Sequence, residues 1–128
     1  MIYVVKSCTG EWEDYNETIE AITSNHRVAK DICKGAKVEA KELKKEIHDQ
    51  LDRLDEIERK VRTRYGDKAD EILEQNEEFI DLNNEYISNV HYLDDAGRCI
   101  IESYSGEVAH SFVSDTAKNF LKKVRKRA

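Results

Sequence analysis

The 128-residue chain contains no proline and only five glycines. Proline interrupts helices and central strands, so its absence permits long uninterrupted helices. Five glycines are too few for both a phosphate-binding loop and the turns of a domain this size. The sequence also has no run of about 18 apolar residues, which predicts no membrane-spanning segment and no membrane partner.

Cysteine is scarce as well. The three cysteines, Cys8, Cys33 and Cys99, are odd in number and form no CxxC pair. This pattern favours a reducing compartment over a disulfide framework. The N-terminal MIYVVKSC lacks the basic start and long apolar stretch of a signal peptide. We therefore expect a cytoplasmic protein in which Cys33 and Cys99 are buried apolar groups and Cys8 packs in the core or at its rim.

The sequence also lacks the common metal-binding, nucleotide-binding and catalytic motifs. The chain has no HExxH, no EF-hand loop and no P-loop, and its four histidines are scattered with none placed beside Cys8 by a local signature. Asp94 and Asp95 fit a turn better than a metal site or an acid–base pair. We therefore expect a protein that is not an enzyme and that uses no cofactor or metal.

Charged residues are abundant, at 38% of the chain against 39% apolar residues, and the net charge is −6. The apolar residues are enough for a small hydrophobic core, and much of the chain must be solvated surface. This balance favours long exposed helices in one domain of ordinary size.

Residues 1–24 predict a β-hairpin. IYVV is a β-branched and aromatic strand, residues 11–14 form a polar turn after Gly10, and YNETIEAITS alternates between apolar and polar positions.

Residues 25–65 predict a long amphipathic helix, because the apolar positions from Val28 to Tyr65 are separated by steps of three or four. Gly35 is a candidate break in this helix. Gly66 and Asp67 predict a stop and a restart. An acidic helix over residues 67–90 would complete an antiparallel helical hairpin.

Residues 91–113 predict a second β-hairpin around Asp94–Gly97, and residues 115–127 a basic helix capped by Asp115. The predicted fold is a single α+β domain. It has a small antiparallel sheet built from the N- and C-terminal hairpins, a long inserted helical hairpin and a C-terminal helix.

Acidic residues in 67–85 are spaced so that one helix would align them on one face. The stripe would be about 27 Å long at about 1.5 Å per residue. A solvated face, or pairing with the basic tail, is the alternative to docking on the basic surface of a partner protein. The candidate partner-binding residues here are Asp67, Glu71, Glu74, Glu78, Asp81 and Glu85.

The first turn is the other candidate contact site. Trp12 lies among Glu11, Glu13 and Asp14, and an exposed tryptophan is typical of interface anchors. The alternative is that Trp12 folds back over the sheet.

Two further hypotheses concern the helices. Asn76 and Asn83, seven residues apart on or near the apolar seam, suggest a role in setting register or oligomeric state; the alternative is that they lie at the edge of the seam and contact water. The helices also suggest a self-associating coiled-coil module, with a homodimer as one outcome. The basic C-terminal helix suggests nucleic-acid binding, which the acidic balance of the whole chain disfavours. Its cations are Lys118, Lys122, Lys123, Arg125, Lys126 and Arg127.

The opening YVVKSCTGEWEDYNETIEAI, followed by a helix near HRVAKDI, resembles a group of small uncharacterised phage and prophage proteins. These begin with a YVV strand, a TGE(Y/W)EDY turn, a second strand and a helix. The resemblance covers residues 2–34 and implies no activity, but it implies a phage or mobile-element origin and a host-cell cytoplasmic location. Small acidic phage proteins often bind and block a host protein. The resemblance therefore points to an inhibitor of a host defence or nucleic-acid-handling enzyme, such as a CRISPR effector.

Overall fold

The computed structural model describes residues 1–127, with side chains up to Arg125. It has the predicted α+β class, with a four-stranded antiparallel sheet, a long helix and a C-terminal helix. No helix in the described part of the chain is long and apolar enough to cross a membrane. The elements in chain order are β1 (Ile2–Thr9), a 3₁₀ turn (Trp12–Asp14), β2 (Asn16–Thr23), α1 (His26–Tyr65), a second 3₁₀ turn (Gly66–Lys68), α2 (Ala69–Gln75), α3 (Glu77–Leu93), β3 (Cys99–Tyr104), β4 (Phe112–Val113) and α4 (Asp115–Arg127).

Where the sequence predicts one domain, the chain forms two compact units. The sheet unit contains residues 1–41 and the residues from 95 onward, and the helical unit contains residues 42–94. α1 contributes its first part to the sheet unit and its second part to the helical unit.

The sheet has the order β3-β1-β2-β4, with antiparallel pairing throughout. The β1–β2 hairpin confirms the prediction for residues 1–24. The predicted hairpin over 91–113 is wrong, because β3 pairs with β1 and β4 pairs with β2. Residues 91–93 form the last turn of α3 instead. Apolar runs predicted strands here, but the β1–β2 hairpin offers two free edges and takes one strand on each.

α1 runs without a break through Gly35, so the predicted interruption there is wrong. The helix begins at Asn25, whose Oδ1 accepts hydrogen bonds from the backbone N–H groups of Arg27 (3.0 Å) and Val28 (3.3 Å). Gly35 has a packing role. A Cβ at this position would lie 2.0 Å from the backbone oxygen of Phe120 in α4. Only glycine allows the two helices to approach this closely.

The core of the sheet unit lies between one sheet face and the helices α1 and α4. Val5 and Ala21 from the strands pack with Ile32 of α1 and with Ala117 and Phe120 of α4. Small residues dominate this cluster, which lets the helices lie close to the strands.

A buried carboxylate joins the strands to the start of α4. Glu20 lies at an irregularity in the β1–β2 register, opposite the step from Val5 to Lys6. Its side chain is buried and accepts hydrogen bonds from the hydroxyls of Ser7 (3.0 Å) and Ser114. Ser114 also caps α4, since its Oγ accepts from the Ala117 N–H at 3.0 Å. The prediction of Asp115 as the cap is therefore wrong by one residue.

The helical unit is an antiparallel hairpin of α1 and α3 linked through α2. Asn89 of α3 donates to Gln50 of α1 at 3.1 Å, which fixes the level at which the two helices meet. Near the other end, Val61 packs with Ala69 and Leu73. The chain turns at Gly66, which has the left-handed φ of 56° expected of a glycine that ends a helix.

The predicted acidic helix over 67–90 is wrong as a single element. Asn76 has an extended conformation (φ −80°, ψ 107°) and separates α2 from α3. Its Oδ1 accepts a hydrogen bond from the Phe79 N–H at 2.9 Å, so it is the N-cap of α3. The apolar periodicity continues across Asn76, so it did not show that this residue ends one helix and caps the next.

Cys33 of α1 and Cys99 of β3 form a disulfide, with their Cα atoms 5.5 Å apart. The expectation that both are simply buried apolar groups is therefore wrong. The cysteines are 66 residues apart, so no local pattern indicates the pair. Disulfides are rare in a reducing cytosol, and the cytoplasmic location stays a prediction.

We expect Gly35→Ala to lower the free energy of unfolding by about 3 kcal/mol or more, because the new methyl group would push the α4 backbone away. The measurement is chemical denaturation, with the exposed neighbour Lys34→Ala as control, for which we expect a change within about 0.5 kcal/mol. Equal stability of the two variants would contradict the close approach.

We expect the Cys33–Cys99 bond to stabilise the fold by up to about 4 kcal/mol, since it closes a loop of 66 residues in the unfolded chain. Reductant should lower the denaturation midpoint of the wild type and leave that of the Cys33→Ser/Cys99→Ser double variant unchanged. Mass spectrometry of alkylated protein checks the pairing. Alkylation of all three cysteines without reductant would contradict it.

Candidate recognition surface

The tryptophan loop, residues 10–15, connects β1 and β2. The side chain of Trp12 is 93% exposed, so it does not fold back over the sheet. Its φ of 54° lies in the left-handed region, which is sterically costly for a residue with a side chain. Such strain persists only where the surroundings impose it, and strained residues concentrate at functional sites.

The base of the loop is held by the segment that follows α3. Asp95 Oδ1 accepts a hydrogen bond from the Gly10 N–H (2.9 Å), and Arg98 Nη1 donates to the Gly10 oxygen (2.9 Å). Arg98 also forms an ion pair with Asp95 at 3.1 Å. Asp95 therefore lies in a turn, as predicted, and has a bracing role there. Sequence reasoning missed Arg98, because no local pattern connects it to a loop 88 residues away.

The other predicted contact residues of the loop are at its surface. Glu11, Glu13 and Asp14 are all exposed. The loop thus presents an exposed aromatic side chain next to three exposed carboxylates, and its first residue, Gly10, is held by Asp95 and Arg98.

Next to the loop, one face of the sheet has no helix of the sheet unit over it, as far as the described residues extend. Val5 and Ala21 point into the core, so their strand neighbours point to the opposite side. This open sheet face carries large apolar side chains that are substantially exposed. They are Tyr15, Ile19, Ile100, Tyr104 and Phe112.

A charge cluster lies on the open sheet face. The Lys6 ammonium is 3.1 Å from Glu17 of β2 and 3.1 Å from Glu102 of β3. The Tyr15 hydroxyl donates to Glu17 at 2.8 Å, and the Tyr104 hydroxyl donates to Glu102. Three neighbouring strands are cross-linked by these side chains.

The contacts keep the cluster charged. Hydrogen bonds from Tyr104 and then Lys6 lower the pKa of Glu102, and bonds from Tyr15 and then Lys6 lower that of Glu17. The same carboxylates raise the pKa of Lys6, with Glu102 the larger cause. General acid–base catalysis needs a pKa near neutrality, and each of these shifts leads away from it.

Cys8 is buried at the edge of this cluster. The Tyr15 hydroxyl, whose proton is donated to Glu17, also lies 3.4 Å from the Cys8 sulfur, and this contact is the main reason that the pKa of Tyr15 is raised. The thiol therefore packs beneath Tyr15, in agreement with the predicted rim position.

The predicted acidic stripe is not continuous. All six of its residues are exposed, but Asp67 lies in a 3₁₀ turn, Glu71 and Glu74 in α2, and the others in α3. Glu74 lines a groove with Arg62, whereas Glu78 is 3.7 Å from Arg53. Arg53 and Arg62 are nine residues apart on α1, or two and a half turns, so they lie on opposite sides. The break at Asn76 thus divides Glu71 and Glu74 from Glu78, Asp81 and Glu85.

Two other side-chain groups are simple surface features. His48, Asp49 and Asp52 are close together and exposed on α1, where His48 and Asp52 form an i,i+4 contact of 3.3 Å. On α4, Lys118, Lys122 and Arg125 are exposed, while the side chains of Lys126 and Arg127 lie outside the described residues. Nucleic-acid binding by α4 stays a prediction.

Comparison with protein-family models, with curated proteins and with solved structures gives no match to this chain. The resemblance of residues 2–34 to phage proteins stays a prediction.

We expect Tyr104→Phe to raise the pKa of Glu102 towards its ordinary value of 4.5, because the phenol is the largest cause of the depression. Tyr15→Phe should do the same to Glu17 and leave Glu102 unchanged. A carboxylate with a lowered folded-state pKa adds stability above its unfolded pKa, and this is lost as the pH falls through the folded value. Tyr104→Phe should therefore lessen the loss of stability below pH 4.5. NMR titration of the carboxyl carbons checks both variants, and identical titration curves would contradict the network.

Proposed function

We propose that this chain is a non-enzymatic protein-binding protein, and that the tryptophan loop anchors a partner with a basic surface. The observation that carries the proposal is the exposure of Trp12, which is 93% solvent-accessible on a loop whose backbone is held in place. Solvation of so large an apolar surface is unfavourable, and covering it by a partner would recover that free energy.

The brace under the loop supports this role. Binding by a flexible loop loses affinity because the loop must be ordered. The hydrogen bonds of Asp95 and Arg98 to Gly10 already hold the base of the loop before any partner binds. An exposed tryptophan on a loop whose base is held in place is the kind of residue that dominates interface energetics.

The charge around Trp12 determines which partner suits the loop. Glu11, Glu13 and Asp14 surround the indole, and the open sheet face beside it has two carboxylates for one lysine. An acidic rim speeds the encounter with a basic surface, and this effect weakens as salt screens the charges. Lysine or arginine of the partner would approach the carboxylates while an apolar pocket receives the indole.

A finer proposal concerns the biological setting. The resemblance of residues 2–34 to phage proteins favours an inhibitor that acts in the host cytoplasm on a defence or nucleic-acid-handling enzyme, such as a CRISPR effector. Enzymes that bind nucleic acid present basic surfaces, and these suit the acidic loop. This setting depends on the resemblance, whereas the binding role of the loop does not.

The test is capture of proteins from bacterial lysate on the immobilised wild-type chain, in parallel with Trp12→Ala. We expect a stoichiometric partner that is retained by the wild type, lost at high salt, and bound about tenfold or more weakly by Trp12→Ala. Tyr65→Ala, which removes an exposed aromatic from the helical unit, is the matched control and should bind normally. Capture of the same proteins by the wild type and Trp12→Ala, or of none by the wild type, would contradict the proposal.

A further inference from the structure

The residues that hold the base of the tryptophan loop lie next to the disulfide in the chain. Cys99 is the first residue of β3, and the residue before it is Arg98, whose side chain donates to the Gly10 oxygen at 2.9 Å. Asp95 accepts from the Gly10 N–H, also at 2.9 Å. We call residues 95–98 the holding segment. A single peptide bond therefore separates the Cys33–Cys99 pair from the arginine that holds the loop.

The holding segment lies between the end of the sheet and α1. Cys99 is in the last pair of the β1–β3 register, and beyond it the Cys8 N–H donates to the Arg98 oxygen at 2.9 Å. On the other side the segment touches α1, because a Cβ at Gly97 would lie 3.2 Å from the Cβ of Ala40. The position of Arg98 thus depends on contacts to both the sheet and α1.

Both chain neighbours of Arg98 are attached to the same side of α1. Gly97 packs against Ala40, and Cys99 is bonded to Cys33, with the two Cα atoms 5.5 Å apart. Cys33 and Ala40 are seven residues apart, or two helical turns, so they lie on one side of the helix. Among the contacts described for the holding segment and Cys99, only the disulfide is covalent. Breaking it removes the one attachment to α1 that packing and hydrogen bonds cannot replace.

The bond is reachable by a reductant but has no partner for exchange within the chain. Cys33 and Cys99 are both partly exposed, at the edge of the core between the sheet and the helices. The third cysteine, Cys8, is buried beneath Tyr15 on the open sheet face, so the sheet separates it from the bond. Thiol–disulfide exchange needs access to a sulfur atom, and here the attacking thiol must come from another molecule.

From this placement we infer that the Cys33–Cys99 bond is a redox control of the tryptophan loop. The inference rests on the binding role proposed for the loop. In the oxidised chain α1 holds Cys99, and Arg98 beside it holds Gly10. In the reduced chain this attachment is lost and the base of the loop becomes mobile. A mobile loop must be ordered when a partner binds, and this lowers affinity. The oxidised chain is therefore the binding form.

The chemical step is an exchange with a dithiol. One thiolate of the dithiol attacks a sulfur of the Cys33–Cys99 bond, which breaks as a mixed disulfide forms. The second thiolate of the dithiol then displaces the protein sulfur from the mixed disulfide. Two electrons pass to the protein, each cysteine sulfur takes up one proton, and the dithiol leaves as a disulfide. An oxidant of the disulfide class reverses the step.

The test is the backbone order of the free full-length chain, measured by nitrogen-15 relaxation before and after addition of dithiothreitol. We expect the order parameter of the Gly10 amide to fall from about 0.85 to below about 0.6 on reduction. Ile22, which pairs with β1 and with β4, should stay near about 0.85 in both states. Three results would overturn the inference: an unchanged Gly10, a loss of order at Ile22 together with Gly10, or a bond that resists dithiothreitol in the folded chain.

Variants separate the bond from the other contacts. Cys33→Ser/Cys99→Ser should have a mobile Gly10 without reductant and no further response to it. If this variant unfolds, Cys33→Ala/Cys99→Val keeps the packing apolar and replaces it. Cys8→Ala is the matched control and should respond to dithiothreitol as the wild type does. Arg98→Ala should release Gly10 with the bond intact, and an ordered Gly10 in this variant would contradict the route through Arg98.

The consequence for binding is measured on the partner that the wild type retains and Trp12→Ala loses. We expect the reduced chain and Cys33→Ser/Cys99→Ser to bind it about tenfold more weakly than the oxidised chain. Equal affinity of the oxidised and reduced chains would overturn the control. Failure to capture any partner overturns the proposed function alone, because the order of Gly10 is measured on the free chain.

Discussion

The backbone contact between α1 and α4 at Gly35 is the constraint on which the sheet unit depends. Because no Cβ separates the helices there, the carbonyl of Phe120 reaches the α1 backbone and Phe120 itself is buried. Ala29, Ala36 and Ala117 continue this close packing. Both helices thus share one face of a narrow sheet, and the apolar side chains of that face are enough for a core. Among the residues that the structure describes, no helix of this unit covers the opposite face.

The open sheet face and the tryptophan loop follow from that arrangement. A sheet face that is exposed to water needs polar or charged side chains. Lys6 and the carboxylates that it pairs with, on the strands on either side of β1, supply them here. The loop lies at the end of the same two central strands. Its position is fixed by Asp95 and Arg98, which also fix the point where the chain re-enters the sheet before β3. The same two residues therefore hold both the base of the tryptophan loop and the start of β3.

Sequence periodicity was sufficient to predict the elements that depend on local contacts, but not those that depend on residues far apart in the chain. Steps of three and four predict α1, because burial on one side of a helix needs nothing from distant residues. The β1–β2 hairpin is predicted for the same reason, since its pairing is local. Distant pairings leave no such trace, and the neighbours of β3 and β4, the Cys33–Cys99 bond and the Arg98 brace all join residues far apart. Asn76 was misjudged because an asparagine in a helical pattern can be a seam residue or a cap, and only the extended backbone distinguishes them.

The break at Asn76 also decides which acidic surface suits recognition. A nucleic-acid backbone attracts basic proteins through closely spaced charge on one continuous surface. The helical unit divides its acids between two sides, and some are already paired, as Glu78 is with Arg53 and Asp70 with Arg62. The tryptophan loop concentrates three carboxylates around an exposed indole.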